Sequence, residues 1–99
     1  IVAYSCYGAI PATHGRFDLY WIVVKPELHH CGIGRQLLAR TEQAITQSGG
    51  RRIYIETSSR QVYENTRRFY TATGYHLDAV LHGFYAEGDD KHIYCKTLL

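Results

Sequence analysis

The passage from Phe17 to Arg35 limits most strongly what this chain can become. Phe17 to Val24 is aromatic or β-branched at almost every position, the composition of a central strand that is apolar on both faces. Pro26 ends it, because proline brings no N–H to a ladder. Gly32 then opens a stretch that runs to about Gln47, in which Ile33, Leu37, Thr41, Ala44 and Ile45 recur at helical spacing with Leu38 beside them. Gly49-Gly50 stops the helix. A buried strand joined through a glycine turn to an amphipathic helix commits the chain to a sheet with helices packed on it.

The remaining elements follow from the same periodicities. Ile1 to Ala9 reads as a strand, Pro11 to Gly15 as turn material, and Ile53 to Thr57 as a short strand. Val62 to Thr73 reads as a second helix, with Thr66, Phe69, Tyr70 and Thr73 on one face and Gly74 just past its end. Tyr75 to Tyr85 and Lys91 to Thr97 are strands, joined by a hairpin turn at Glu87-Gly88-Asp89-Asp90. The predicted order is strand, strand, helix, strand, helix, strand, strand. Residues 1–99 are read as a single domain of the α/β (α+β) class, with a mixed twisted sheet of about five strands, two packed helices and a closing antiparallel hairpin.

Composition removes several functional classes. No apolar run approaches the roughly 20 residues that span a membrane, and no secretory leader pattern is present, so a membrane role is not expected. The formal charge is +2, which suits anionic ligands without requiring a nucleic acid. Arg51-Arg52 and Arg67-Arg68 could meet phosphates, although isolated arginine pairs are usually solvated surface. Cys6, Cys31 and Cys95 are odd in number and far apart, which argues against a disulfide framework and for a reducing cytoplasm. His29-His30-Cys31 is a poor metal set, since three consecutive residues rarely converge on one ion, and no metal is expected.

The turn itself has a chemical reading. The first N–H groups of a helix lack partners, and the helix dipole there favours negative charge. Gly32 and Gly34 allow a bulky anion to approach that backbone, so the site suits a phosphate or pyrophosphate. A dinucleotide fingerprint needs a third glycine where Leu37 stands, and a P-loop needs Gly-Lys-Ser/Thr where the chain has Gly34-Arg35-Gln36. A tight strand-to-helix connection would use the same two glycines.

Two motifs resemble those of the GNAT superfamily of N-acetyltransferases. That family's loop reads Gln/Arg-x-x-Gly-x-Gly/Ala, and here His29-His30-Cys31-Gly32-Ile33-Gly34 occupies it, with His29 in the first place. The family's second motif is Asn-x-x-Ala, an aromatic-Tyr pair, then x-x-x-Gly-Phe/Tyr. Tyr63-Glu64-Asn65-Thr66-Arg67-Arg68-Phe69-Tyr70-Thr71-Ala72-Thr73-Gly74-Tyr75 fits it in register, with Tyr63 and Thr66 in the Asn and Ala places. The family fold normally begins with a strand, two helices and another strand. This chain opens on Ile1-Val2-Ala3-Tyr4 without an initiator methionine, so it is expected to be the acetyl-CoA-binding part of a longer protein.

The resemblance implies a set of roles. Acetyl-CoA is the co-substrate. Its pyrophosphate would lie on the backbone from His29 through His30, Cys31, Gly32, Ile33 and Gly34 to Arg35, and its pantetheine beside Ile22, Val23 and Val24, where this strand splays from the next. Tyr70 matches the tyrosine that commonly protonates the departing thiolate. Glu56, at the end of its strand, is the candidate base, since some members carry a glutamate at the matching place. Asp18 and Tyr20 are weaker candidates for holding the acceptor or a water, and Asp89-Asp90 for attracting a cationic acceptor. The expected reaction is direct acetyl transfer to a primary amine in a ternary complex, in a chain that pairs as a homodimer through the edge at Ile1 to Ala9. The alternatives are a CoA-binding sensor or regulatory module without catalysis and, further off, a nucleic-acid-binding α/β domain.

Overall fold

The computed structural model describes residues 2–98, so the expected strand start at Ile1 lies outside the described residues. The strands are β1 (Ala3–Ala9), β2 (Arg16–Val24), β3 (Arg52–Ser58), β4 (His76–Ala86) and β5 (Asp89–Thr97). The helices are α1 (Ile33–Gln47) and α2 (Glu64–Ala72), and short 3-10 turns cover Pro26–Leu28 and Gln61–Tyr63. Element order is the one predicted, and the strands form one five-stranded sheet in the order β1-β2-β3-β5-β4. The pairs β1–β2 and β4–β5 are antiparallel. The chain divides into two compact units, one reaching to Ile53 and including Thr97 and Leu98, the other Tyr54–Lys96.

In the first unit α1 packs on one face of the β1–β2 pair. Its fully buried positions are Leu38, Thr41 and Ile45, so the apolar stripe is centred on Leu38, and Leu37 and Ala44 at its flank are only half-buried. Thr41 is satisfied there: its hydroxyl donates to the Leu37 carbonyl at 2.8 Å and lies 2.9 Å from the Ser5 hydroxyl. Gly50, just beyond α1, has no room for a side chain, because a Cβ would collide with the Ile45 side chain and stand 2.8 Å from its carbonyl. The expectation that β2 is apolar and covered on both faces is corrected. Leu19 is 2% exposed, but Tyr20 and Trp21 are half in solvent, because α1 covers only the face marked by Ser5 and Thr41. Between Cys6 and Tyr7 the register jumps from Trp21 to Leu19, so β2 carries Tyr20 as an extra residue.

In the second unit Tyr70, Tyr75, Ile55, Tyr94 and Cys95 are buried. Helix α2 is shorter than predicted, because Gln61–Tyr63 is a 3-10 turn, and Thr66 is exposed rather than on the packed face with Tyr70. Both ends of α2 are tied down by cations: Arg67 donates to the Ser58 and Arg60 carbonyls at 2.7 and 2.9 Å, and Lys96 donates to Thr73 O at 2.9 Å. The turn between β4 and β5 is narrower than predicted. Only Glu87 and Gly88 turn, while Asp89 and Asp90 belong to β5.

Candidate active site

β2 ends at Val24, Pro26–Leu28 makes one 3-10 turn, and the chain then enters α1 through two left-handed residues, His30 (φ 66°) and Gly32 (φ 81°). A Cβ on Gly32 would meet nothing within 4 Å, so it is the left-handed backbone and not crowding that asks for glycine here. His29 has a role that the motif did not reveal. Its Nε2 donates to the Val24 carbonyl at 2.8 Å and pins the loop back onto the end of β2.

The hydrogen-bond ladder of α1 begins with Gln36 N–H donating to the Gly32 carbonyl at 3.1 Å. The amides of Ile33, Gly34 and Arg35 precede that bond, and among the described residues no side chain caps them. They stand at the positive end of a helix of 15 residues. His30, Cys31, Gly32 and Arg35 are exposed around them. This surface fits an anionic ligand held by backbone N–H groups. Ile22, Val23 and Val24 pair with Ser5, Tyr4 and Ala3 along one edge of β2.

Tyr70 and Glu56 both belong to the second unit. Tyr70 is 5% exposed, with its ring edge-on to Phe69 and Tyr75 at centroid distances of 5.6 and 5.8 Å. Burial pushes its phenol above the ordinary tyrosine value, which keeps the proton on the oxygen. Glu56 lies on the exposed side of β3, and its Oε1 is ion-paired with Lys91 Nζ. That lysine is held over the Phe84 ring at 4.0 Å.

The weaker candidates divide. Asp18 lies opposite Gly8 in the β1–β2 ladder, and the Tyr20 ring rests against Gly8, where a Cβ would be 3.4 Å from its hydroxyl. Asp89 and Asp90 do not form an open acidic pair. Asp89 accepts from the Ser58 hydroxyl; Asp90 accepts from the Gly83 N–H at 2.8 Å and lies 3.3 Å from His82 Nδ1. The Asp90 backbone is also stitched to Ser59. Among the described residues no three His, Cys, Asp or Glu side chains converge as an ion site, and no helix is long and apolar enough to cross a membrane.

Comparison with known proteins agrees with this geometry. A family model described as an acetyltransferase (GNAT) domain matches residues 1–77. A solved GNAT-family protein from Desulfovibrio desulfuricans is 48% identical with a TM-score of 0.95, over 97% of this chain and 60% of its own. An aminoglycoside 6′-N-acetyltransferase complexed with coenzyme A is 23% identical with a TM-score of 0.80, over 96% of this chain and 66% of its own. The ribosomal-protein-S18-alanine N-acetyltransferase of Escherichia coli is 17% identical with a TM-score of 0.78, over 97% and 61%. The last two show a shared fold alone. The chain spans less than two thirds of the length of the first of these structures. No match is found among the curated proteins. The chain belongs to the GNAT acetyltransferase family.

Proposed function

We propose that this chain is the cofactor-binding part of an acetyl-CoA-dependent N-acetyltransferase that acts on a primary amine. The observation that carries the reading is the uncapped start of α1 behind the left-handed Gly32. In this reading the amides from His30 to Arg35 hold the pyrophosphate, and backbone groups of Ile22, Val23 and Val24 pair with the pantetheine. His29 acts through its bond to Val24, fixing where the loop stands. Acetyl-CoA, when bound, supplies an acetyl thioester.

The side chains then handle two protons. An alkyl ammonium has a pKa of about 10, so the amine must shed a proton before it can attack. Glu56 takes that proton, directly or through a water. The C–N bond forms as the C–S bond breaks; Tyr70 gives its phenolic proton to the sulfur and takes back, through water, the second proton that the nitrogen sheds as it becomes an amide. Glu56→Gln removes the acceptor.

Two further parts of the reading concern surroundings. β1 stands at one end of the sheet order, so its outer edge is the place for a second copy to pair. The odd count and wide spacing of Cys6, Cys31 and Cys95 fit a reducing cytoplasm. Gly34→Glu tests the pyrophosphate placement by setting bulk and like charge at the helix start. By calorimetry the folded variant is expected to lose at least about tenfold in CoA affinity. Unchanged affinity would remove the anion from this loop.

A further inference from the structure

Lys91 is the partner that holds Glu56, and its surroundings are unlike those of a surface lysine. Its side chain is only 15% exposed, whereas that of Glu56 is 46% exposed. The Lys91 ammonium sits between the Glu56 carboxylate and the face of Phe84 at 4.0 Å. Lys91 stands opposite Leu81 in the β4–β5 ladder, so its backbone is fixed by pairing. We propose that Lys91 is a positioning residue for acetyl transfer, holding the Glu56 carboxylate where it accepts the proton of the amine. The proposal rests on the reading of Glu56 as base.

An exposed ion pair ordinarily contributes little, because two long side chains must be held in one geometry by a screened attraction. Here one of the two is already held. The ring of Phe84 and the depth of the Lys91 stem restrict the cation before the carboxylate arrives. A glutamate on the open side of β3 would otherwise sample several rotamers. A catalytic group that wanders by more than about 0.5 Å loses much of its effect, so a fixed cation converts a mobile carboxylate into a placed one. The neighbouring acid does not compete for this role, since Asp89 accepts from Ser58. Lys91 touches no substrate in this scheme and acts through Glu56 alone.

The test is a double-mutant cycle on Lys91→Met, Lys91→Arg, Glu56→Gln and the Met/Gln double variant. Acceptors are butylamine, phenethylamine, spermidine and an alanine-terminated peptide, with kcat and the KM for acetyl-CoA measured separately on the best of them. Lys91→Met is expected to lower kcat about tenfold with the KM for acetyl-CoA unchanged, within the usual worth of orientation. Lys91→Arg is expected to recover most of that loss, and Lys91→Met to cost nothing further in the Glu56→Gln background. By NMR the side-chain carboxyl carbon of Glu56 is expected to shift in Lys91→Met and to stay near its native place in Lys91→Arg. An equal loss of kcat in both backgrounds, or no difference between Arg and Met, overturns the positioning role and leaves Glu56 as base. Full turnover by Glu56→Gln overturns the base, and with it the role of Lys91. If Lys91→Met does not fold, Lys91→Gln takes its place in every arm.

Discussion

The rings of Tyr70 and Tyr75 stand edge to face, with centroids 5.8 Å apart, and the Tyr75 amide donates to the Tyr70 carbonyl at 3.0 Å. Ring and backbone are thus held by the same neighbour, across the left-handed Gly74 that ends α2. Tyr70 cannot change rotamer without disturbing that packing, so its hydroxyl is a placed group.

Tyr70→Phe keeps the ring contacts and removes the proton. Turnover is expected to fall by about 10- to 1000-fold, the usual range for one positioned acid. Acetyl-CoA affinity and the melting temperature are expected to change little. The comparison is made on the folded variant under conditions where chemistry limits the rate. Native turnover there would assign the acid to another group.

Asp90 gives the β4–β5 end one contribution to acid sensitivity. The Gly83 N–H, helped by the His82 imidazole, outweighs the opposing desolvation and holds its carboxyl below the ordinary carboxylate value. A depressed folded value contributes stability at pH above the unfolded value of about 3.9, and that contribution is lost as pH falls through the folded value. The urea midpoint is therefore expected to drop between about pH 5 and pH 2.5, and to drop less steeply in Asp90→Asn. Equal slopes for the two proteins would show that Asp90 carries none of this sensitivity.

Much of this fold is legible in the chain because its signals are local. Phe17 to Val24, the glycines after α1 and the Tyr70–Gly74 spacing each announce an element within a few residues. The less legible parts are made by partners distant in sequence. Asp89 and Asp90 read as turn acids or an attractive patch, whereas their partners Ser58 and Ser59 lie 31 residues away. Lys91 carries no motif at all, and only strand pairing brings it to Glu56. His29 breaks the loop pattern at its first position, and a side-chain bond to the strand it has just left gives no spacing to read. Leu38 reads as flanking the apolar stripe of α1, because helical spacing alone does not say which residue lies deepest.

Gly50 tests the packing of the first unit. An alanine there would drive its Cβ into Ile45 and to 3.1 Å from the Phe17 ring. Gly50→Ala is expected to cost about 1–3 kcal/mol, the usual range for an overpacked site, measured by urea denaturation. A gain in stability would mean that the end of α1 shifts freely.

The central claim is acetyl transfer itself, and thiol release reads it directly. The chain is mixed with acetyl-CoA and each of a panel of primary amines, free thiol is followed with a chromogenic disulfide, and the amine is weighed by mass spectrometry. The account predicts amine-dependent thiol release matched mole for mole by N-acetylated product, and loss of both in Tyr70→Phe to the extent given above. Tight acetyl-CoA binding with no amine-dependent thiol release across the panel would contradict it and leave a CoA-binding module without catalysis.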